Sequence, residues 1–143
     1  MWTIEAIVKA VRGPEVLVER WGLNGESAAR RIEQNLSRAL GPQLRRFVLD
    51  LGNLRIGAFD VVVGGDLQGT YSAVTETKTL WQEFPQLEGL GLIQIMDFAE
   101  ERYLYECLGE TVNSYDCRRP FAGEEIQRWE NFDTFMRWLM KSV

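Results

Sequence analysis

A chain of 143 residues that is 45% hydrophobic and 11% aromatic is long and apolar enough to bury one core without metal or disulfide staples. It contains no histidine, which excludes the serine, cysteine and metal mechanisms that use an imidazole as base or ligand. Its net charge of −5 is unevenly spread: residues 1–58 carry nine Lys/Arg against six Asp/Glu, residues 59–143 seven against fifteen, so much of the surface repels nucleic acid and favours a basic partner, unless the excess serves solubility alone.

In chain order, Ile4, Ile7, Val8 and Val11 stand at helical spacing until Gly13-Pro14 interrupts them, which predicts a short first helix. From about Gly25 to Leu40 the residues Ala28, Ala29, Ile32, Leu36 and Leu40 line one face of an amphipathic helix, with Glu26, Arg30, Arg31, Glu33 and Arg38 on the rest. Gly41-Pro42 opens another helix, carried by Leu44, Phe47, Val48 and Leu51 and ended by Gly52-Asn53. A single strand is expected over Ile56–Val63, where Phe59, Val61 and Val63 alternate up to Gly64-Gly65. A helix from about Thr70 to Phe84 follows, stopped by Pro85.

The nearly continuous apolar run Leu90–Asp97 reads as a central strand buried on both faces. Tyr103–Leu108 and Thr111–Asp116 read as a hairpin joined by the two-residue loop Gly109-Glu110, with Cys107 opposite Val112. That register leaves Cys117 roughly 17 Å from Cys107, beyond the ~7 Å between Cα atoms that a disulfide spans, so both thiols are expected free. Glu125–Trp129 is expected as a further strand after the irregular stretch 118–123. A final helix from about Phe132 to Lys141 has an apolar stripe of Phe132, Phe135, Met136, Trp138 and Leu139.

No apolar run approaches the ~20 residues of a membrane span. The start, Met1-Trp2-Thr3-Ile4-Glu5, lacks the basic and apolar regions of a signal peptide, so a cytoplasmic location is expected, in keeping with free thiols. Asn35-Leu36-Ser37 fits the glycosylation pattern but falls inside a predicted helix. The stretch from Gly64 to Thr70 spaces its glycines like a phosphate loop, yet Thr70 stands where the lysine belongs and Asp66 adds negative charge; a Gly-rich strand-to-helix connection explains it as well. Two cysteines without histidine offer no zinc site, so neither metal nor cofactor is expected. Paired acids among Asp97, Glu100, Glu101, Glu106 and Asp116 would suit glycoside hydrolysis, but the spacing singles out no pair. The aromatics Trp129, Phe132, Phe135 and Trp138, at or near helical spacing, read as core rather than a ligand cage.

The order and punctuation of these elements resemble the SUKH superfamily, which includes the fungal Smi/Knr-type regulators of cell-wall synthesis and many bacterial immunity proteins. The resemblance rests on the helix with Ile32, Leu36 and Leu40, the Leu40-Gly41-Pro42 turn, and the run from Leu44 to Leu54 with its helix-ending Gly52-Asn53. It continues in a helix bracketed by Thr75, Thr77 and Pro85, the strand from Leu92 to Phe98, and above all the ending from Trp129 to Leu139. Two departures stand out: Ala99-Glu100-Glu101-Arg102 replaces the glycine-rich acidic loop of many members, and the first twenty-odd residues match nothing specific.

The resemblance implies a single α+β domain over residues 1–143, with a mixed, largely antiparallel sheet and helices packed around it. It also implies a non-enzymatic binding protein, many bacterial members neutralising a toxin, often a nuclease or deaminase. The expected partner is a basic protein toxin, not nucleic acid or membrane, met by Asp97, Glu100, Glu101, Glu106, Glu110 and Asp116. The competing readings are a regulatory scaffold that binds a cellular partner and a carboxylate enzyme with two facing acids in a deep pocket.

Overall fold

The computed structural model describes residues 2–11, 15–65, 72–116 and 125–143. Helix α1 (Ile4–Ala10) is capped by Thr3, whose hydroxyl accepts from the Ala6 N–H. Helix α2 (Glu26–Leu36) presents Ala28, Ala29, Ile32 and Leu36 to the core, as their spacing predicts, but ends at Ser37 in the left-handed region, short of the expected Leu40, which is buried beyond the helix. Helix α3 (Pro42–Asp50) starts with proline in its first turn, where the missing N–H costs nothing.

Gly41, before that proline, has no side chain with which to cap α3, and the cap comes from far along the chain. Glu110 Oε1 accepts the N–H groups of Gln43 at 2.8 Å and Leu44 at 3.3 Å, and the hydroxyl of Tyr105 at 3.0 Å. The Tyr105 oxygen in turn accepts the Gly41 N–H at 2.9 Å. Glycine is required at position 41 because a Cβ there would run into Glu110 and the Tyr105 hydroxyl.

Strand β2 (Asn53–Ile56) and strand β3 (Phe59–Val61) occupy the stretch where one strand was expected. The chain reverses at Gly57-Ala58, with Gly57 at φ 58°, and Ile56 pairs with Phe59. The alternation of Phe59 and Val61 belongs to β3 alone. Strand β1 (Val18–Trp21), which the sequence did not announce, pairs antiparallel with β2; its central Glu19 and Arg20 are exposed, as suits an edge strand. Behind this sheet the buried Asn53 side chain ties down the following segment, accepting from the Val63 N–H at 2.7 Å and donating to the Gly65 carbonyl at 3.0 Å.

Helix α4 (Ala73–Glu83) begins with a capping box between Ser72 and Thr75. The predicted beginning at Thr70 and Tyr71 lies outside the described residues, as do Gly13-Pro14, Asp66–Gly69, Cys117 and 118–123. Pro85 leads into the one-turn helix α5 (Gln86–Gly89). Strand β4 (Leu92–Phe98) is buried from Leu92 to Met96, as the apolar run predicts, and carries a bulge between Gln94 and Met96. Instead of the expected central position it holds the edge of its sheet, covered by the segment after β3.

Strands β5 (Glu101–Glu106), β6 (Val112–Asp116) and β7 (Gln127–Trp129) complete a second sheet in the order β4-β5-β6-β7. The hairpin register differs from expectation: Tyr105, not Cys107, faces Val112. Its connection is longer than two residues, closed by Glu106 N–H to Thr111 O and Glu110 N–H to Glu106 O, both 2.9 Å. The shift is two residues, so every side chain keeps its predicted face. Cys107 is buried and free.

The protein is α+β, with antiparallel sheets of three and four strands. A bond from the Val62 N–H to the Ile95 carbonyl at 2.9 Å joins the sheets where β3 gives way to the next segment. Helix α6 (Phe132–Lys141) has the bounds its stripe predicts and is capped by Asn131. Its Phe132, Phe135, Met136 and Leu139 are fully buried, with Phe135 5.1 Å from Trp129 and 5.8 Å from Tyr103 between ring centroids, and Phe132 5.2 Å from Phe47. These aromatics are core. On the other side, α4 grips β4 through Trp81 Nε1–H to the Leu92 carbonyl and the Gln94 N–H to Thr77 Oγ1, both 3.0 Å.

Replacing Glu110 by alanine strands two helix amides and the Tyr105 hydroxyl, and a loss of about 1–3 kcal/mol is expected. Urea unfolding of Glu110→Ala beside Glu106→Ala tests this. The Glu106 change removes one 3.2 Å contact from the Thr111 hydroxyl, and about 1 kcal/mol or less is expected there.

Candidate functional site

Strand pairing decides which acids meet. The β4–β5 turn is tight, with Phe98 opposite Glu101, and Ala99 at φ 55° lets Ala99-Glu100 form its tip. The register places Phe98, Glu101 and Asp116 in one cross-strand row, and Asp97, Arg102 and Tyr115 in the next. Asp97, Glu100, Glu101 and Asp116 therefore share one end of the four-stranded sheet. Asp97 and Glu100 are exposed; Glu101 and Asp116 are half-buried. Phe98 at this end is 36% exposed, with its ring centroid 4.4 Å from that of Phe59.

Glu106 and Glu110 do not join them. Glu106 lies five residues along β5 from Glu101, roughly 17 Å at the usual rise, and Glu110 lies beyond it in the next turn. Glu110 is occupied with the α3 cap, and Glu106 accepts from the Thr111 hydroxyl.

The sequence reading missed Glu76, which α4 brings to the acidic end. Burial raises its carboxyl above the ordinary value, the charge of Asp97 raises it further, and Arg102 pulls it down. Its neighbour Thr77 is fully buried against β4, and that docking sets Glu76 near a residue 21 positions away in sequence. No local signal announces such a meeting. At the same end Glu101 accepts from the Tyr103 hydroxyl at 3.1 Å; burial first, and then this carboxylate, push the Tyr103 phenol well above its usual value.

In the basic first half, Arg45 and Arg55 are held in close ion pairs. Arg45 meets Glu26 at 2.6 Å and Glu33 at 3.5 Å, and Arg55 meets Asp60 at 2.9 Å and Glu19 at 3.2 Å. The hydrogen bond from Arg45 is the main reason the Glu26 carboxyl lies below its ordinary value. Of the phosphate-loop-like stretch, Gly64 and Gly65 are described: Gly64 has no room for a Cβ beside the Leu23 carbonyl, and the Gly65 carbonyl accepts from Leu23 and Asn53. Close backbone packing thus accounts for both. Among the described residues no group of three His, Cys, Asp or Glu could hold a metal ion, and no helix is long and apolar enough to cross a membrane.

No family model and no curated protein matches the chain. Among solved structures its α+β fold has a counterpart, a protein from Pseudomonas syringae pv. tomato. That structure aligns over 94% of this chain and 92% of its own, with a TM-score of 0.67 and 21% identity. At that identity the likeness is one of fold.

Because the folded Glu76 carboxyl titrates above its unfolded value, the folded state binds its proton more tightly. The stability this supplies is present at low pH and is lost as pH rises from the ordinary carboxyl range through the raised value. In a carboxyl NMR titration, Asp97→Asn is expected to lower the Glu76 midpoint and Arg102→Gln to raise it. No movement in either variant would separate Glu76 electrostatically from this end.

Proposed function

We propose that the protein is a non-enzymatic, immunity-type binding protein that works in the cytoplasm and neutralises a basic protein toxin, such as a nuclease or deaminase domain. The observation that carries this reading is the gathering of Asp97, Glu100, Glu101, Asp116 and Glu76 at one end of the four-stranded sheet, with the partly exposed Phe98 in the row of Glu101 and Asp116. A partly exposed aromatic ring at a sheet end where acids outnumber the single Arg102 suits an interface in which the ring anchors and the acidic excess steers. The resemblance of the helix–turn–helix segment and of the Trp129–Leu139 ending to the SUKH superfamily supports the same kind of role. On this reading Asp97, Glu100, Glu101 and Asp116 face the toxin, whereas Glu106 and Glu110 serve the hairpin and α3.

The deciding experiment is an affinity pull-down from native cells at low and then high salt, with retained proteins identified by mass spectrometry. A stoichiometric basic toxin domain is the expected result; recovery of a housekeeping protein instead would point to a regulatory scaffold. With the toxin in hand, Glu100→Lys/Glu101→Lys is expected to slow association about 10-fold or more at low salt, with the difference shrinking as salt screens it. Equal association rates for the variant and the parent would remove this end of the sheet from the interface.

A further inference from the structure

Away from the acidic end, the first turns of α3 and α6 converge on a cavity of about 460 Å³, within the usual range for small-molecule sites. The two turns are fastened together by the Asp133 N–H, which donates to Gln43 Oε1 at 2.9 Å. That bond engages the Gln43 amide through its oxygen, and the NH₂ is the donor of the same group. Asp133 supplies a carboxyl acceptor in the same wall.

Trp2 forms the aromatic side of the cavity and is held firmly. Its backbone N–H donates to Asp50 Oδ2 at 2.8 Å, and its ring meets Phe47 and Phe132 edge-on, with centroids 5.8 and 6.4 Å away. Met140 adds a polarisable apolar surface. Two guanidinium groups also line the space. Among the described residues, Arg46 has only the 4.0 Å approach of Asp50, and Arg137 donates to the Thr134 hydroxyl at 3.2 Å. Neither is locked in a close ion pair of the kind that engages Arg45 and Arg55, although the Asp133 carboxyl in the same wall interacts electrostatically with Arg137.

A fixed aromatic plane, a donor and an acceptor side by side, and two available guanidinium groups answer, respectively, the face of a base, its polar edge and a phosphate. We propose that this cavity is a binding site for a nucleoside 5′-monophosphate, with the base against Trp2 and the phosphate held by Arg46 and Arg137. A bare anion would leave the Trp2 wall unused, and an apolar ligand would leave both arginines unused. The site is independent of the toxin-binding reading, since it shares no residue with the acidic end.

The test is calorimetric titration of the full chain with AMP, GMP, CMP and UMP, beside inorganic phosphate and adenosine as separate arms. Saturable binding of at least one nucleotide is expected, about 10-fold or more tighter than phosphate or adenosine alone. Arg46→Gln and Arg137→Gln, both at exposed positions, are each expected to weaken it by about 10-fold while leaving the melting temperature unchanged. Trp2→Leu is expected to weaken it too, with Trp2→Phe retaining much of the affinity. Glu100→Lys/Glu101→Lys is expected to leave it unchanged. The proposal is overturned if no nucleotide saturates the protein, if phosphate binds as tightly as the nucleotides, or if the Arg46→Gln/Arg137→Gln double variant binds like the parent.

Discussion

The arrangement of this molecule hangs on the N-terminus of α3, which has no capping side chain next to it in sequence. A helix start at Gly41-Pro42 leaves amides that must be satisfied, and the carboxylate that satisfies them belongs to Glu110 in the hairpin turn of the other sheet. Tyr105 makes the junction three-way, donating to Glu110 and accepting from Gly41. Burial, with the Glu110 charge next, pushes its phenol far above the ordinary value, so it stays a neutral donor. From the same first turn Gln43 takes the Asp133 N–H, which fixes where α6 begins. Helix layer, hairpin and final helix are thus registered against one another at a single polar joint.

That joint divides the acidic residues of the second half into two kinds. At the Glu110 end carboxylates are consumed by the architecture. At the opposite end a tight turn and a cross-strand row leave Asp97 and Glu100 in solvent beside Phe98. An acidic excess over the single Arg102 at one sheet end, with the cations of Arg45 and Arg55 tied into ion pairs elsewhere, gives the molecule a directional field rather than a diffuse net charge.

Much of this was legible in the residues. The apolar stripes of α2, α3 and α6 and the buried run of β4 were read correctly because burial on one helical face, or on both faces of a strand, writes a periodic signal into sequence. β1 was missed because its middle residues are exposed and charged. The β2–β3 reversal was missed because Gly57-Ala58 interrupts an otherwise continuous β-like stretch with one left-handed glycine. The hairpin slipped by two residues because Gly109-Glu110 resembles a tight loop while its hydrogen bonds close a longer one. At the acidic end, Asp97, Glu100, Glu101 and Asp116 were accessible to local reading once the strands were placed. Glu76 depended on how α4 docks on β4, and the role of Glu110 on a contact across 67 residues, which no local pattern encodes.

The distance between the two halves of the α3 cap also sets an order of events during synthesis. At about 5–20 residues per second, a ribosome needs roughly 3–13 s after adding Gln43 before it adds the glutamate that completes the helix. Through that interval α3 lacks its cap, and α6, whose Phe132 packs on Phe47, has not been made. The α3 cap therefore closes only once the last third of the chain has begun to be made, a non-local contact of the kind that slows folding.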